Sequence, residues 1–250
     1  MNIKLLKKFN EVEKKHWWWE GRRKLLRDLL SKKRSRKILD VGCGTGETLS
    51  FLQKTFPKAE LYGVDLSQVA VKYAKSRGHK KIFRASALKL PFKKDFFDTI
   101  LILDVLEHIK NHQKVIYEAK RVLKNKGQIV ITSPSLSFLW SDHDRMQGHH
   151  RRYTPREIRK LARNANLKAS FISYFNFIFS FPIIAIRLLG KIRLFKFLLS
   201  YDNGFNYNII YYPIFNLLLE KIFIFEISLL KFIKYPWGIS IVAVLTKENK

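Results

Sequence analysis

Three closely spaced glycines follow a short apolar run, and they constrain the fold of this chain more than any other feature. The run is Lys37-Ile38-Leu39-Asp40-Val41, and the next five residues are Gly42-Cys43-Gly44-Thr45-Gly46. Glycine adopts positive φ angles and leaves bare main chain against which a ligand can lie. If a helix begins near Gly46, its free N–H groups point at whatever lies over the loop. The pattern therefore predicts a strand, a glycine loop and a helix that together bind a nucleotide-type cofactor.

The spacing of the glycines narrows the choice of cofactor. Dinucleotide-binding folds carry G-x-G-x-x-G, whereas this chain has G-x-G-x-G with Asp40 two positions before the first glycine. A second strand-like run, Leu61-Tyr62-Gly63-Val64, ends at Asp65. A carboxylate there is well placed to accept hydrogen bonds from both ribose hydroxyls of an adenosine. No P-loop lysine follows the glycines, which argues against a triphosphate.

Further segments follow in a recognisable order: Leu90-Pro91-Phe92, Phe97 to Ile100, Asp104 to His108, and Gly127 to Ile131. Together with Ile38 to Gly46 and Leu61 to Ser67, they resemble the motifs of class I S-adenosylmethionine-dependent methyltransferases. The resemblance covers about residues 36–175. It implies an α/β fold, namely a Rossmann-like, seven-stranded, doubly wound sheet in which the seventh strand is antiparallel and lies between the fifth and sixth. The alternative interpretation is a nucleotide-fold domain that binds NAD or no ligand.

The resemblance also implies S-adenosylmethionine as the cofactor and a set of residues that bind it. The expected contacts are Asp40, Gly42, Cys43, Gly44, Gly46, Asp65, Leu66, Ser86, Ala87, Leu103 and Asp104. Ser86 departs from the family pattern, which usually has an aspartate there to meet the adenine amino group, and a hydroxyl makes a weaker contact. Cys43 is the only cysteine, so an internal disulfide framework is excluded, and we interpret it as a packing residue.

Residues 140–153, after the expected fifth strand, are dense in side chains suited to acid–base chemistry. They resemble a His-Asp…Gly-His-x-Arg-Arg-Tyr motif found in a subset of the same family. The candidate catalytic residues are His143, Asp144 and His149, with a histidine as the base and Asp144 orienting it. The candidate acceptor-binding residues are Arg151, Arg152 and Tyr153. No metal is assigned, because methyl transfer does not require one, although His143, Asp144 and His149 could ligate an ion. The alternative interpretation is a hydrogen-bonded loop that anchors the helix beginning at Thr154, and His108 on its own is interpreted as structural.

Residues 1–35 are interpreted as an N-terminal helical cap. Neighbouring helical residues lie about 100° apart, so Trp17, Trp18 and Trp19 cannot all face one core. At least one should cover a ligand, a lid or a lipid interface, and Trp17 and Trp18 are the candidates for contact with the acceptor. A His-Trp-Trp segment followed by paired arginines resembles the cap of the same methyltransferase subset. The alternative is that the tryptophans only fasten the helix to the domain.

The rest of the chain divides into a cofactor domain, residues 36–175 plus 237–250, and an apolar helical insert, residues 176–236, between the sixth and seventh strands. Gly78, Gly127 and the box at Thr154-Pro155-Arg156-Glu157 are predicted helix boundaries. The insert contains a basic amphipathic piece, Ile186 to Lys196. Its uncharged runs contain proline and do not form clean membrane spans. We therefore expect the insert to lie on the surface of a bilayer or to line an apolar substrate-binding groove.

The charge balance points to an anionic partner. There are 48 Lys and Arg against 20 Asp and Glu, a formal net charge of +28, although an AT-rich genome would also enrich lysine. After the expected fourth strand, amino-methylating nucleic-acid enzymes carry Asn-Pro-Pro-Tyr or Asp-Pro-Pro-Tyr. This chain has Asp104-Val105-Leu106-Glu107 there, which argues against nucleic acid as the methyl acceptor.

The sequence thus predicts methyl transfer to oxygen or carbon of a small-molecule or lipid-linked acceptor, in the cytoplasm or on the inner face of the membrane. An RNA methyltransferase and a non-catalytic membrane scaffold are the alternatives, and the oligomeric state stays open.

Overall fold

A seven-stranded sheet organises the chain, as predicted. The structure is a computed structural model that describes residues 3–31, 35–189 and 212–248. The strands are β1 (Lys37–Val41), β2 (Glu60–Asp65), β3 (Ile82–Arg84), β4 (Phe97–Leu103), β5 (Leu123–Pro134), β6 (Lys168–Phe175) and β7 (Ser240–Thr246). Their order is β3-β2-β1-β4-β5-β7-β6. The first five are parallel, and β7 runs antiparallel to both β5 and β6.

Helices cover both faces of the sheet. Those described are α1 (Ile3–Val12), α2 (Trp17–Leu30), α3 (Glu47–Thr55), α4 (Gln68–Ser76), α5 (His112–Val122), α6 (Asp142–Gln147), α7 (Pro155–Asn164), α8 (Ser180–Leu189) and α9 (Pro213–Leu229). One apolar cluster packs α5 and α7 on one face, and a second packs α2, α3 and α4 on the other. The carboxyl ends of β1, β2, β4 and β5 thus meet at one edge, where ligands bind in such sheets.

Two of the three predicted helix boundaries are confirmed. Gly78 has φ +90° just after α4, and α7 begins with a capping box between Thr154 and Glu157 with Pro155 at its first position. The prediction that Gly127 ends a helix was wrong. Helix α5 ends at Val122, and the positive φ angle lies at Lys126, inside an irregular stretch of β5 where the pairing register with β4 shifts. The glycine signal there marks a bulge-like turn rather than a helix end.

The N-terminal cap packs against the described part of the insert. Trp17 packs on Phe179 and Phe223, with ring centroids 4.7 and 5.6 Å apart. Asn216 on α9 accepts a hydrogen bond from the Trp17 N–H (3.0 Å) and donates to the Lys15 carbonyl (2.8 Å). These contacts give the insert a packing role in addition to any role toward a ligand or lipid.

Glu226 fastens the insert to the end of β6. Its carboxylate is buried and accepts hydrogen bonds from the N–H groups of Phe177 (2.9 Å) and Ile178 (3.0 Å). Burial raises the pKa of Glu226, while these backbone donors oppose the rise. Tyr235 donates its hydroxyl hydrogen to the Glu226 carbonyl (2.9 Å), so α9 is held to β6 and to the segment that enters β7.

Helix α2 can approach α9 closely because it has a glycine at the contact. A Cβ added at Gly21 would lie 2.0 Å from Cδ1 of Phe223. We predict that Gly21→Ala lowers the free energy of unfolding by about 1–3 kcal/mol, because overpacking exceeds the gain of about 1 kcal/mol in helix propensity. Urea unfolding followed by circular dichroism measures the change. Gly21→Ala combined with Phe223→Leu should recover part of the loss, and an unchanged midpoint for Gly21→Ala alone would contradict this packing.

Among the described residues, no helix is both long enough and apolar enough to cross a membrane. Most of the predicted amphipathic piece, Ile186 to Lys196, lies outside the part of the chain that the structure describes.

Candidate functional site

The glycine loop has the predicted geometry. Gly42, Gly44 and Gly46 all have positive φ, and Gly46 is the residue that precedes α3. The N–H groups of Gly42 and Cys43 both donate to the Val64 carbonyl, at 2.8 and 3.0 Å, which fastens the loop to β2. A Cβ at Gly42 would lie 2.5 Å from Val105, whereas a Cβ at Gly44 would meet no atom within 4 Å. The loop is therefore packed from below at Gly42 and open at Gly44.

Asp65 lies beside this open face. Its Oδ2 accepts from the Gly44 N–H at 3.0 Å, and its Oδ1 accepts from the Ser67 N–H at 2.8 Å. The next residue, Leu66, is 68% exposed, so it offers an apolar surface next to the carboxylate. Burial raises the pKa of Asp65, and the backbone donors at Ser67 and Gly44 oppose this effect. An open loop, a carboxylate and an apolar flank fit an adenosine: ribose hydroxyls at Asp65 and a ring against Leu66.

The remaining predicted cofactor residues are arranged around the same edge. Ser86 and Ala87 are half-buried after β3, and the Ser86 hydroxyl oxygen accepts from the Leu88 N–H at 3.2 Å. That bond holds a turn, and the hydroxyl hydrogen stays available to a ligand. Leu103 is buried at the end of β4. Cys43 is buried against Gly63, and burial raises its thiol pKa, which agrees with a packing role.

Two acidic residues near the glycine loop are almost completely buried. Burial raises the pKa of Asp40 to about 7, with the charge of Arg22 opposing the rise and that of Asp65 adding to it. Burial and the nearby Asp104 raise the pKa of Glu107 as well. Arg22 donates to Asp104 Oδ2 at 2.7 Å, so the cap supplies the cation closest to these carboxylates. A cationic ligand would be favoured here, and the sulfonium and ammonium of S-adenosylmethionine meet that condition.

The cap also contacts the glycine loop directly. The Thr45 hydroxyl donates to Glu13, which follows α1, and Glu13 is paired with Arg77 at 2.7 Å. Arg77 also pairs with Glu47 in the first turn of α3. This chain of contacts ties the end of the cap's first helix to the loop and to the helix that follows it, so the cap is in direct contact with the candidate cofactor site.

The tryptophans of the cap have three different surroundings. Trp17 lies in the aromatic cluster with the insert, and Trp19 packs edge-on against Phe9 with centroids 5.3 Å apart. Trp18 is half-buried, and the guanidinium of Arg22 lies 4.8 Å from the centre of its ring. Trp18 is thus placed next to the acidic edge, whereas Trp17 is enclosed by protein. Of the two predicted acceptor contacts, we retain Trp18 and reassign Trp17 to packing.

Asp144 is paired with a histidine, as expected. Its Oδ1 lies 3.0 Å from Nδ1 of His149, and both of its oxygens accept from Arg152, at 2.9 and 2.8 Å. Burial alone would raise the pKa of Asp144, but His149 and Arg152 hold it well below its usual range. An ionised Asp144 is an acceptor, so it takes the Nδ1–H of His149, and Nε2 is the nitrogen that stays free of this ion pair. His143 is on α6, but its side chain lies outside the described residues.

Arg152 and Tyr153 lie too deep to touch an acceptor. Arg152 also donates to the Ser135 carbonyl at 2.9 Å. Tyr153 is fully buried, donates to the Leu106 carbonyl (3.2 Å) and lies 2.7 Å from Nδ1 of His112. Burial raises the pKa of its hydroxyl. We therefore correct their assignment from acceptor binding to positioning of the loop, because each polar group is used inside the fold.

Arg151 is directed toward α5. Its Nη1 lies 2.9 Å from Nε2 of His112, and its Nη2 donates to the Lys110 carbonyl at 3.0 Å. The guanidinium is thus partly committed to the protein, and its role toward an acceptor stays a prediction.

Residues from two loops meet beside Asp104. The rings of His108 and His149 are edge to face with centroids 4.7 Å apart. Burial, together with His149, lowers the pKa of His108 to about 4, so its ring is neutral at physiological pH. Glu107 accepts from the Ser133 hydroxyl at 2.6 Å. The structure thus brings together the end of β4 and the loop that contains His149.

Sequence reasoning missed Glu13, Arg22, Arg77 and Glu107 as parts of this site. Glu107 and His108 belong to the Asp104-to-His108 motif, so their position directly after β4 could have identified them as residues of the site. Arg22 belongs to the arginine pair that follows the tryptophans. Glu13 and Arg77 carry no local pattern, since their pairing depends on how the cap docks.

Comparisons with known proteins agree with this fold. A family model described as a methyltransferase domain matches residues 39–131. The demethylmenaquinone methyltransferase of Thermotoga maritima is 31% identical over 110 residues, which are 44% of this chain and 48% of that protein. The tocopherol O-methyltransferase of Arabidopsis thaliana is 35% identical over 108 residues, covering 40% of this chain and 31% of that protein. The chain spans about half or less of the length of these curated relatives.

A solved structure shows the same fold over nearly the whole chain. An S-adenosylmethionine-dependent methyltransferase from Thermotoga maritima superposes with a TM-score of 0.60 at 18% identity. The match covers 98% of this chain and 96% of that one. The similarity therefore extends to the sheet and the helices around it, beyond the segment that the family model matches.

Proposed function

Since this chain carries a class I S-adenosylmethionine-dependent methyltransferase domain, we propose that it transfers a methyl group to an oxygen or carbon atom of a small-molecule or lipid-linked acceptor. The observation that supports this most directly is the meeting of two groups at one sheet edge. The open face at Gly44 and Asp65 suits the adenosine, and the Asp144–His149 pair lies in the loop after β5. Two curated relatives are named for methyl transfer to a demethylmenaquinone and to a tocopherol acceptor.

The chain's own residues account for positioning and proton transfer. S-adenosylmethionine, when bound, supplies an electrophilic methyl group. Asp65 and the glycine loop fix the adenosine end, while the carboxylates of Asp40 and Asp104 favour its cationic end. His149, held by Asp144, presents Nε2 as the acceptor for a hydroxyl proton while the acceptor oxygen attacks. Trp18 and the insert enclose the apolar part of the acceptor, which keeps water away from the reacting atoms.

Transfer of a labelled methyl group tests the proposal. The purified protein is incubated with methyl-labelled S-adenosylmethionine and, in separate reactions, with lipid extract, water-soluble metabolites and total RNA. We expect label in the lipid or metabolite fraction and at least a 100-fold lower rate for His149→Ala, since general-base catalysis contributes about 10²–10⁴-fold. The exposed neighbour His150 provides the matched control, and His150→Ala should keep the rate within about twofold.

Two other outcomes correspond to the alternative functions. Label in RNA, with binding that falls steeply as salt rises, would support an RNA methyltransferase instead. A protein that shows neither thermal stabilisation by S-adenosylmethionine nor label in any fraction would be a scaffold that retains the fold.

The surface of the insert supports action at a membrane. On α9, Ile214 is 82% exposed and Phe215 61%, and Phe232 just beyond the helix is 83% exposed. Lys231 and Lys234 flank Phe232 and Ile233. Exposed apolar side chains beside lysines suit insertion at the headgroup level of an anionic bilayer, with the ammonium of Lys234 at the phosphates, while that of Lys231 lies 3.5 Å from Asp28.

We predict that the protein sediments with vesicles containing phosphatidylglycerol and that Ile214→Ser/Phe215→Ser/Phe232→Ser reduces the bound fraction at least fivefold. These exposed positions are preferable to deletion of residues 176–236, which would also remove the buried Phe223 and Glu226. Phe138, which is 56% exposed before α6, provides the control variant Phe138→Ser. Equal sedimentation of the triple variant and the wild type would contradict a membrane role for α9.

A further inference from the structure

We propose that Glu107, His108 and His149 form a site for a divalent transition-metal ion of the Zn²⁺ class. One ligand atom from each residue can be chosen so that all three lie within 4.8 Å of one another. Two histidines and one carboxylate are a ligand set of catalytic zinc sites and of non-haem iron sites. Glu107 and His108 follow β4, and His149 follows α6 about 40 residues later. The three residues are therefore brought together by the fold and do not form a local sequence motif.

Glu107 provides an independent indication. The residue is only 1% exposed, and its Oε2 is already used by Ser133. Its other oxygen, Oε1, is buried and has no hydrogen-bond partner among the described residues. An unpartnered buried carboxylate oxygen is destabilising, because burial removes its hydrogen bonds to water without replacing them, so such an oxygen indicates a missing ligand. A cation held between this oxygen and two imidazoles would satisfy it.

The hydrogen-bond partner of His149 is of the kind that metal-binding histidines have. Asp144 accepts from Nδ1 of His149 and is itself fixed by the two-point contact with Arg152. A carboxylate in this position sets the tautomer of a metal-binding histidine, so Nε2 is the nitrogen that His149 would offer to the ion. The nearby carboxylate of Asp104 is paired with Arg22 at 2.7 Å, so the ligand set proposed from the described residues is Glu107, His108 and His149.

The site needs only a small adjustment to close on an ion. Ligands about 2.0–2.1 Å from a tetrahedral ion stand roughly 3.4 Å apart, so atoms within 4.8 Å of one another must approach by up to about 1.4 Å. Three protein ligands leave a coordination position open toward the acceptor. The role of the ion rests on the proposed function: it would bind the acceptor oxygen as the acceptor enters from water and lower the pKa of its hydroxyl, and the proton would leave to that water before methyl transfer. With the ion bound, His149 would act through the ion, and without it His149 would accept the proton directly, so His149→Ala lowers the rate in either case.

Metal content and titration test the site. The full-length protein is stripped with a chelator, titrated with Zn²⁺ by calorimetry and with Co²⁺ by visible spectroscopy, and the bound metal is counted by elemental analysis. We expect one ion per chain in the wild type and at least a 100-fold higher Kd for Glu107→Gln and for His149→Ala. His150→Ala, at the exposed neighbouring position, should bind like the wild type.

Parallel titration with S-adenosylmethionine separates the two proposals. The far-ultraviolet circular dichroism spectrum of Glu107→Gln should match that of the wild type, which shows that the variant is folded, and the wild type should bind S-adenosylmethionine both with and without Zn²⁺. Cofactor binding and methyl transfer by a wild type that takes up no Zn²⁺ or Co²⁺ would overturn the metal site alone. Metal uptake that is the same in Glu107→Gln, His149→Ala and the wild type would overturn it too. Zn²⁺ uptake by a protein that neither binds nor uses S-adenosylmethionine would leave the ion site standing and overturn the proposed function.

Discussion

Asp65→Ala is expected to raise the Kd for S-adenosylmethionine by a factor of about 100 or more. The carboxylate is the group at the open face of the loop that can accept hydrogen bonds from two ribose hydroxyls, and it also holds the Gly44 N–H at 3.0 Å. Hydrogen bonds to a charged group contribute about 1.5–3 kcal/mol each, so the loss of two exceeds 3 kcal/mol. Isothermal calorimetry at constant salt gives the two dissociation constants.

A matched control lies at the other end of the same strand. Glu60 begins β2 and carries an exposed carboxylate paired with Lys81, so Glu60→Ala should leave cofactor affinity within about twofold. The melting temperature of the ligand-free variants shows whether the loop itself has been lost. A folded Asp65→Ala protein with wild-type affinity would contradict the placement of the ribose.

Asp144→Ala should have the largest effect on stability, a loss of about 3–5 kcal/mol in the free energy of unfolding at pH 7. The substitution leaves the guanidinium of Arg152, whose side chain is 4% exposed, without its buried partner. An exposed ion pair serves as the control: Glu248→Ala removes the contact with Lys168, where both side chains are 64% exposed, and should cost no more than about 1 kcal/mol. Urea unfolding of the three proteins, followed by tryptophan fluorescence, measures both differences.

The Asp144 effect should also depend on pH with a defined sign. The pKa of this carboxyl is held well below its usual range in the folded protein, so the unfolded chain binds the proton first as pH falls. The stabilising contribution is therefore fully present above about pH 4 and declines as pH falls below that value. The gap between wild type and Asp144→Ala should be constant from pH 5 to 7 and narrower at pH 3. A gap that widens at pH 3 would contradict the ion-pair assignment.

The part of the site nearest the glycine loop could be predicted from the sequence because its chemistry is local. Gly42, Gly44 and Asp65 are specified by strand ends and by turns that only glycine adopts easily, and both signals are contained in a few neighbouring residues. The position of β7 between β5 and β6 came from the resemblance to a family. In contrast, the prediction at Gly127 was wrong, because a glycine that follows a helix can either end the helix or lie at a bulge in the next strand.

The rest of the site depends on tertiary packing, which produces no periodic pattern in the sequence. Arg152 and Tyr153 are polar residues in a loop, and nothing local indicates that the fold buries them completely. Trp17 looked like a ligand contact because three adjacent tryptophans exceed the needs of one core. In the structure a second core, shared with the insert, receives it. Motif analysis cannot predict contacts between segments that lie some 200 residues apart in the chain, such as the contact of Trp17 with Asn216.

The place of β7 in the sheet has a consequence for the time course of folding. β7 is the last strand in the chain, yet it lies between β5 and β6, and β6 has no other neighbour in the described sheet. β6 therefore cannot join the sheet until the cap, the first five strands and the insert have all been synthesised and β7 has inserted. Pairings of this kind are non-local and slow to form. Until β7 arrives, the open edge of β5 is available for pairing with another chain. The rate of β7 insertion should thus set how much newly made protein aggregates before the sheet is complete.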